Sequence, residues 1–191
     1  MPAVMTSAHN RKKQPELVRR LLLDCAAKLA IEGGFSAVTV QAVADGAGVT
    51  KGGLFHHFPS KQALIDAVVQ DLMVQIDAEI DQAMDQDKQD YGCFTRAYIE
   101  LTFTDRHYGI GSPHVGKAQA LMVDREFNRM WSVWLTGRLR RHAETDADPM
   151  LEIVRLAADG AWMTRVICDD HEIFQDVEAL RRRLVGLTRR P

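Results

Sequence analysis

From Pro15 onward, apolar residues recur at helical spacing. Val18, Leu21, Leu22, Cys25, Ala26, Leu29 and Ala30 fall every three or four positions and predict an amphipathic helix. Pro15 suits its first turn, and Gly33-Gly34 ends it. Thr39 opens a short helix through Asp45, with Val40, Val43 and Ala44 facing inward. Ala47-Gly48-Val49 is a tight break, after which Thr50 caps a second short helix. Pro59-Ser60 breaks the chain again, with Ser60 as the next cap. A long helix follows, apolar at Leu64, Ile65, Val68, Val69, Leu72, Met73, Ile76, Ile80 and Met84. Asp66, Asp71, Asp77, Asp81 and Asp85 occupy most of its other side.

Residues 87–90 form a polar connection to a helix carrying Phe94, Ala97, Tyr98 and Leu101. Gly109-Ile110-Gly111-Ser112-Pro113 reads as a loop. A helix from about Lys117 to His142 carries Leu121, Phe127, Met130, Trp131, Trp134, Leu135 and Leu139, with a break near Asp124. Pro149 starts a penultimate helix that is apolar almost all round, from Met150 to Ile167. Such a helix must be covered on both sides. The last helix runs from about Phe174 to Leu187. No segment alternates as a strand does, and the expected fold is all-α.

Composition excludes little more than the extremes. Hydrophobic residues make up 46% of the 191, enough for a packed core. No apolar run reaches the ~20 residues of a membrane span, and the polar, basic N-terminus is not a secretory signal. Cys25, Cys93 and Cys168 are isolated thiols, which fits a reducing cytoplasm. The net charge of −2 hides an asymmetry. Up to Lys61 there are eight Lys and Arg against four acids; the remainder has sixteen against twenty-two. A basic module on an acidic body points one surface at a polyanion.

The stretch from Thr39 to Lys61 is the most informative. Two short helices meet at a turn containing Gly48, the helix-turn-helix pattern. Ala44 and Val49 are small enough for a close crossing, and Gly48 tolerates the left-handed backbone of the turn. The second helix then presents Thr50, Lys51, Gly52, Gly53 and His56 outward, while Leu54, Phe55 and Phe58 anchor it. The run Gly-Val-Thr-Lys-Gly-Gly-Leu-Phe-His-His-Phe-Pro-Ser-Lys-Gln-Ala-Leu resembles the DNA-binding domain of TetR-family transcriptional regulators. The preceding helix, its Gly33-Gly34 stop, Phe35 and the chain length fit that family too. More faintly, Leu156-Ala157-Ala158-Asp159-Gly160 followed by Asp169-Asp170 looks like a subgroup that controls multidrug exporters.

The resemblance implies roles for individual residues. Thr39 caps its helix and touches a phosphate. Thr50, Lys51, Gly52 and His56 face the major groove, and Lys61 meets a phosphate. His57 stands where the family usually has His. Phe55 stands where it usually has Tyr, so a common phosphate contact from a hydroxyl is absent. Gly53 replaces a commoner Thr or Ser, and two adjacent glycines weaken a helix by ~1 kcal/mol each relative to Ala. Either the helix firms up on DNA, or the glycines let the backbone approach it closely. The resemblance also implies a homodimer through the last two helices and repression relieved by a small-molecule inducer.

The expected organisation is a basic arm over residues 1–13, a helix-turn-helix domain over 14–61, and a helical effector-binding and dimerisation domain over 62–191. The arm is expected to be mobile, since it has no periodicity. In the last domain, Tyr98, Phe103, Trp131, Trp134 and Trp162 are candidates for an adaptable apolar ligand pocket, although core packing is the default for any one of them. Asp159 sits among apolar neighbours. It pairs with Arg155 or Arg165, or it faces a cavity and attracts a cation. The expected inducer is therefore small, apolar and compatible with positive charge. Val166 and Leu184 are taken to face the dimer partner.

Other chemistry is weaker. His56 and His57 point about 100° apart and cannot readily share an ion. His107 and His114, with Cys93 and Asp105, match no zinc spacing. Gly109-Ile110-Gly111 lacks the features of a nucleotide loop and reads as a plain connection. Arg181-Arg182-Arg183 reads as a solvated face near a helix C-terminus. No nucleophile–base pattern indicates an enzyme, and no cofactor, metal or membrane partner is expected. A metal-responsive or ligand-independent regulator of the same fold remains the nearest alternative.

Overall fold

Side-chain caps fix where the chain starts each turn of helix. Thr39 Oγ1 accepts from the Ala42 amide at 3.1 Å, Thr50 Oγ1 from Gly53 at 3.0 Å, and Ser60 Oγ from Ala63 at 3.0 Å. Asp124, Asp148 and Asp176 do the same for later helices at 2.7–2.8 Å. The computed structural model describes residues 15–104, 109–112, 115–168 and 176–189, without the side chains of 117, 120 and 121. The helices are α1 (Pro15–Gly33), α2 (Val40–Gly46), α3 (Lys51–His57), α4 (Lys61–Asp85) and α5 (Cys93–Thr104). After a 3₁₀ turn (Val115–Ala118) come α6 (Gln119–Val123), α7 (Arg125–Arg141), α8 (Ala143–Asp146), α9 (Pro149–Ile167) and α10 (Val177–Leu187). Among the described residues there is no strand.

The break expected near Asp124 is present, because Asp124 caps α7 and ends α6. Helix α8 was not expected; four residues are too few to show a period. The last helix starts at Val177, capped by Asp176. Phe174, Asp169-Asp170 and the arm over residues 1–13 lie outside the described residues.

Helices α1 to α3 close on the first half of α4. Leu22, Ala26, Val43, Leu54, Phe58, Leu64 and Val69 are fully or almost fully buried there. Each such leucine contributes about 1.5–3 kcal/mol by burial. The second half of α4 packs on α5 and α7 through Ile80, Phe94 and Tyr98. Helices α5, α9 and α10 share a third core around Ile99, Phe103, Val154 and Ala158.

Buried charges act as struts between these layers. Arg96 donates to Asp87 at 2.6 Å and to the carbonyls of Gln89, Tyr91 and Thr188, fastening the end of α10 to the α4–α5 connection. Gly92 lies beside this strut with φ +72°, and a Cβ there would meet the Thr188 carbonyl oxygen at 2.9 Å. Asp146 is buried and caps α5, accepting from the Thr95 amide at 2.8 Å and its hydroxyl at 2.6 Å. Arg138, 2% exposed, reaches from α7 to Asp77 and Asp81 on α4. Arg181, read from the sequence as solvated, instead joins α10 to Glu100 of α5 and to Glu178.

Candidate functional site

The first site is the α2–α3 pair. After α2, Gly48 takes φ +66° and the Val49 amide bonds back to the Ala44 carbonyl at 2.9 Å, turning the chain sharply. Leu54 and Phe58 then pin α3 to the core. Arg19 of α1 lies over the Phe58 ring, 4.9 Å from its centroid. Thr39, Thr50, Lys51, Gly52, His56 and Lys61 are exposed, and His57 is partly so. The Thr39 and Thr50 oxygens accept from the Ala42 and Gly53 amides of the helices they cap, which leaves each O–H proton to donate elsewhere. Phe55 is 45% exposed. It does not anchor the helix as the sequence suggests, because the positions at helical spacing on the inner face are Leu54 and Phe58. Phe55 belongs to the outward surface beside His56.

Nothing inside the protein requires the two glycines of α3. A Cβ on Gly52 would come no closer than 3.9 Å to Thr50 Oγ1, and one on Gly53 no closer than 3.4 Å. Gly52→Ala or Gly53→Ala should therefore raise the melting temperature by up to about 2–4 °C, from up to ~1 kcal/mol of helix propensity. If the α3 backbone approaches DNA closely, as the sequence resemblance implies, the same changes should weaken DNA binding. Thermal melts beside gel shifts test this; a lower melting temperature would show that the protein itself needs the glycines.

The second site is a cavity of about 380 Å³ between α4, α5, α7 and α9. Its walls are mostly apolar: Leu72 and Ile76 from α4, Phe127 and Trp131 from α7, Trp162 and Met163 from α9. The polar lining is Tyr98, Thr102, Asn128 and Asp159. Tyr98 Oη donates to Asp159 Oδ1 at 2.5 Å. Burial pushes the Asp159 carboxyl above its usual range, with the Tyr98 hydrogen bond and the Arg155 charge pulling the other way. Burial and the adjacent carboxylate push the Tyr98 phenol up as well. Arg155 Nη1 donates to Thr95 Oγ1 at 2.6 Å and to the Asp146 carbonyl at 3.2 Å, so its hydrogen bonds go to α5 and α8.

Residues 22–68 match the family model for bacterial regulatory proteins of the tetR family, and residues 92–189 match that for the tetracyclin repressor-like C-terminal domain. The chain belongs to the TetR family. TetR-family proteins are transcriptional regulators and not enzymes. The HTH-type transcriptional repressor KstR2 of Rhodococcus jostii strain RHA1 is 32% identical over 96 residues, 50% of this chain and 45% of that protein. The chain thus matches about half the length of this curated relative. The multidrug binding protein EbrR, solved with malachite green, superposes with a TM-score of 0.65 at 18% identity, over 90% of this chain and 98% of that one. The transcriptional regulator FadR of Bacillus subtilis, solved with stearoyl-CoA, gives 0.63 at 16%, over 88% and 97%. At these identities the likeness is one of fold.

Within this TetR-family chain, Tyr98, Trp131, Asp159 and Trp162 lie on the cavity wall. Phe103 and Trp134 do not. Phe103 is buried between α5 and α9, and Trp134 turns to α4, where its indole N–H donates to Asp77. Asp159 is hydrogen-bonded to Tyr98, a partner sixty-one residues away that sequence spacing does not suggest. Leu72, Ile76, Leu101, Met122, Phe127, Asn128 and Met163 also line the cavity, as does Gly109 from the loop read as a plain connection. The apolar ones carried a helix-core signal only. His107, His114 and Asp105 lie outside the described residues. Among the described residues no three His, Cys, Asp or Glu come together as a metal site would need. No described helix is long and apolar enough to cross a membrane.

Proposed function

We propose that the protein is a homodimeric TetR-type repressor that binds a palindromic operator through α3 and leaves it when a small apolar molecule fills the cavity. The observation that carries this reading is the double use of α4. Its first half, through Leu64, Ile65, Val68 and Val69, is core for the helix-turn-helix; further along, Leu72 and Ile76 wall the cavity. An occupant that fits one placement of α4 better shifts the population toward it. The domain division that follows is DNA binding over 14–61 and effector binding with dimerisation over 62–191, in a cytoplasmic protein whose Cys25, Cys93 and Cys168 are free thiols.

Helix α9 supplies the dimer face. Ile153, Leu156, Gly160, Met163 and Ile167 are exposed at a spacing of three, four, three and four residues, one continuous seam. Leu187 of α10 is exposed as well. Val166 and Leu184 are not part of this face: they are 1% and 6% exposed, packed inside their own protomer. A two-fold axis at the seam repeats the same contact from both sides. It must hold the two α3 helices one DNA turn apart, ~34–36 Å, or a multiple.

On the DNA side, Lys51→Ala should cost about 1–3 kcal/mol on the operator and relax its specificity. Lys61→Ala should weaken all sequences alike and lower the salt slope by about one. Gel shifts at several salt concentrations separate the two. If neither substitution changes binding, this surface is not the one that meets DNA.

A further inference from the structure

Three polar side chains of the cavity wall each direct a donor to an internal acceptor. The Tyr98 phenol donates to Asp159 Oδ1 at 2.5 Å. The Thr102 hydroxyl donates to the Tyr98 carbonyl at 2.8 Å. The Asn128 amide donates to the Met122 carbonyl at 2.9 Å. What remains for an occupant is mostly acceptor: the second carboxylate oxygen of Asp159, the amide oxygen of Asn128, and lone pairs on Tyr98 and Thr102, beside two neutral donors, the second Asn128 amide proton and the Trp131 indole N–H. No Lys, Arg or His lines the cavity among the described residues. Among the described residues, Asp159 is therefore a partly buried carboxylate with one internal donor and no hydrogen-bonded cation, beside the faces of Trp131, Trp162 and Phe127.

We propose that the cavity takes a lipophilic amine, protonated in neutral solution, whose N–H groups donate to Asp159 while its rings or hydrocarbon lie against Trp131, Trp162 and Phe127. This rests on the reading of the cavity as the effector site. Arg155 acts on the carboxylate only at a distance, and an ammonium group supplies what is missing in contact: a positive charge carrying N–H donors for the free oxygen. Ring faces attract the same charge. An anionic ligand meets a like charge in a poorly solvated space. A quaternary ammonium brings the charge without the donors. A neutral alcohol brings a donor without the charge.

Four probes with one biphenyl body separate these cases: 4-phenylbenzylamine, its N,N,N-trimethyl derivative, 4-phenylbenzyl alcohol and biphenyl-4-ylacetate. Binding to the full chain is followed by quenching of tryptophan fluorescence, and operator release by gel shift. The amine should bind at least tenfold tighter than each of the other three. Asp159→Asn should weaken the amine at least tenfold and leave the alcohol within twofold. Tyr98→Phe removes the competing donor, so the amine should tighten severalfold, a gain that damage to the fold does not produce. Equal binding of the quaternary probe or of the carboxylate, or an unchanged amine in Asp159→Asn, overturns the proposal. Operator release by the carboxylate alone overturns the amine class and keeps the regulator reading. No quenching and no release by any probe overturns both.

Discussion

Leu156→Glu should convert the proposed dimer to a monomer and abolish the operator binding proposed for it, with little change in the stability of the protomer. Leu156 is 63% exposed on the α9 seam, so the folded protomer already keeps it in water. In the dimer, symmetry places the new carboxylate twice within an apolar contact. At about 2 kcal/mol for each desolvated charge, the dimer loses about 4 kcal/mol, a thousandfold in its dissociation constant. Operator binding falls with it, because one α3 grips a half-site only. Light scattering at micromolar concentration reads the mass, and a thermal melt reads the protomer. Val166→Glu gives the contrast. That side chain is buried against Val115 and Ala118 of its own chain, so a charge there should unfold the protomer rather than split the pair. A dimer that survives Leu156→Glu would move the interface elsewhere.

The second large effect is expected at Arg138. Its guanidinium donates to Asp81 Oδ1 at 2.5 Å, to Asp77 Oδ1 through both Nε and Nη2, and to the Asp77 carbonyl at 3.0 Å. This clamp joins α7 to α4. Losing one partner of a fully buried pair costs ~3–5 kcal/mol, but Asp77 and Asp81 reach solvent and regain water. Arg138→Ala should therefore cost about 2–3 kcal/mol, or about 5–10 °C in melting temperature. Lys in its place cannot reproduce the forked contact and should recover only part. The effect should also depend on pH. Burial pushes the Asp77 carboxyl up, yet the Trp134 and Arg138 hydrogen bonds outweigh this and hold it below the usual carboxylate range. Its contribution is thus complete above the unfolded value of ~3.9 and is lost as pH falls through the depressed folded one. Melts of the protein and of Arg138→Ala should converge in strong acid. A constant gap between them would assign the effect to packing alone.

Local signals told most of the fold. Caps at Thr39, Thr50, Ser60 and Asp124 are written within four residues of what they fix, and the periodicity between them marks each buried face. Misreadings arose where a residue's surroundings come from distant chain. In α9, apolar almost all round, periodicity gives no preference between a seam against a partner and one against the chain's own core, so it does not reveal that Val166 packs on Val115 and Ala118. Phe103 and Trp134 have the same composition signal as Trp131, and only the rotation of α5 and α7 about their axes decides which ring meets the cavity. The Asp77–Arg138 clamp had a partial signal in aspartates four apart on α4. Their basic partner lies sixty-one residues beyond Asp77 and fifty-seven beyond Asp81, which spacing does not reveal.

Phe127 sits at the meeting point of two duties. It packs against the core that α1 to α4 share, and it forms part of the cavity wall, stacked on Trp131 at 5.9 Å. A change that enlarges the cavity at this ring also opens a gap beneath α1 to α3. Under the proposed function, ligand preference and resting affinity for DNA are therefore not independent traits. Variants selected for a bulkier effector at this position should arrive with altered basal expression, and restoring it should require a compensating change on α4 rather than in α3.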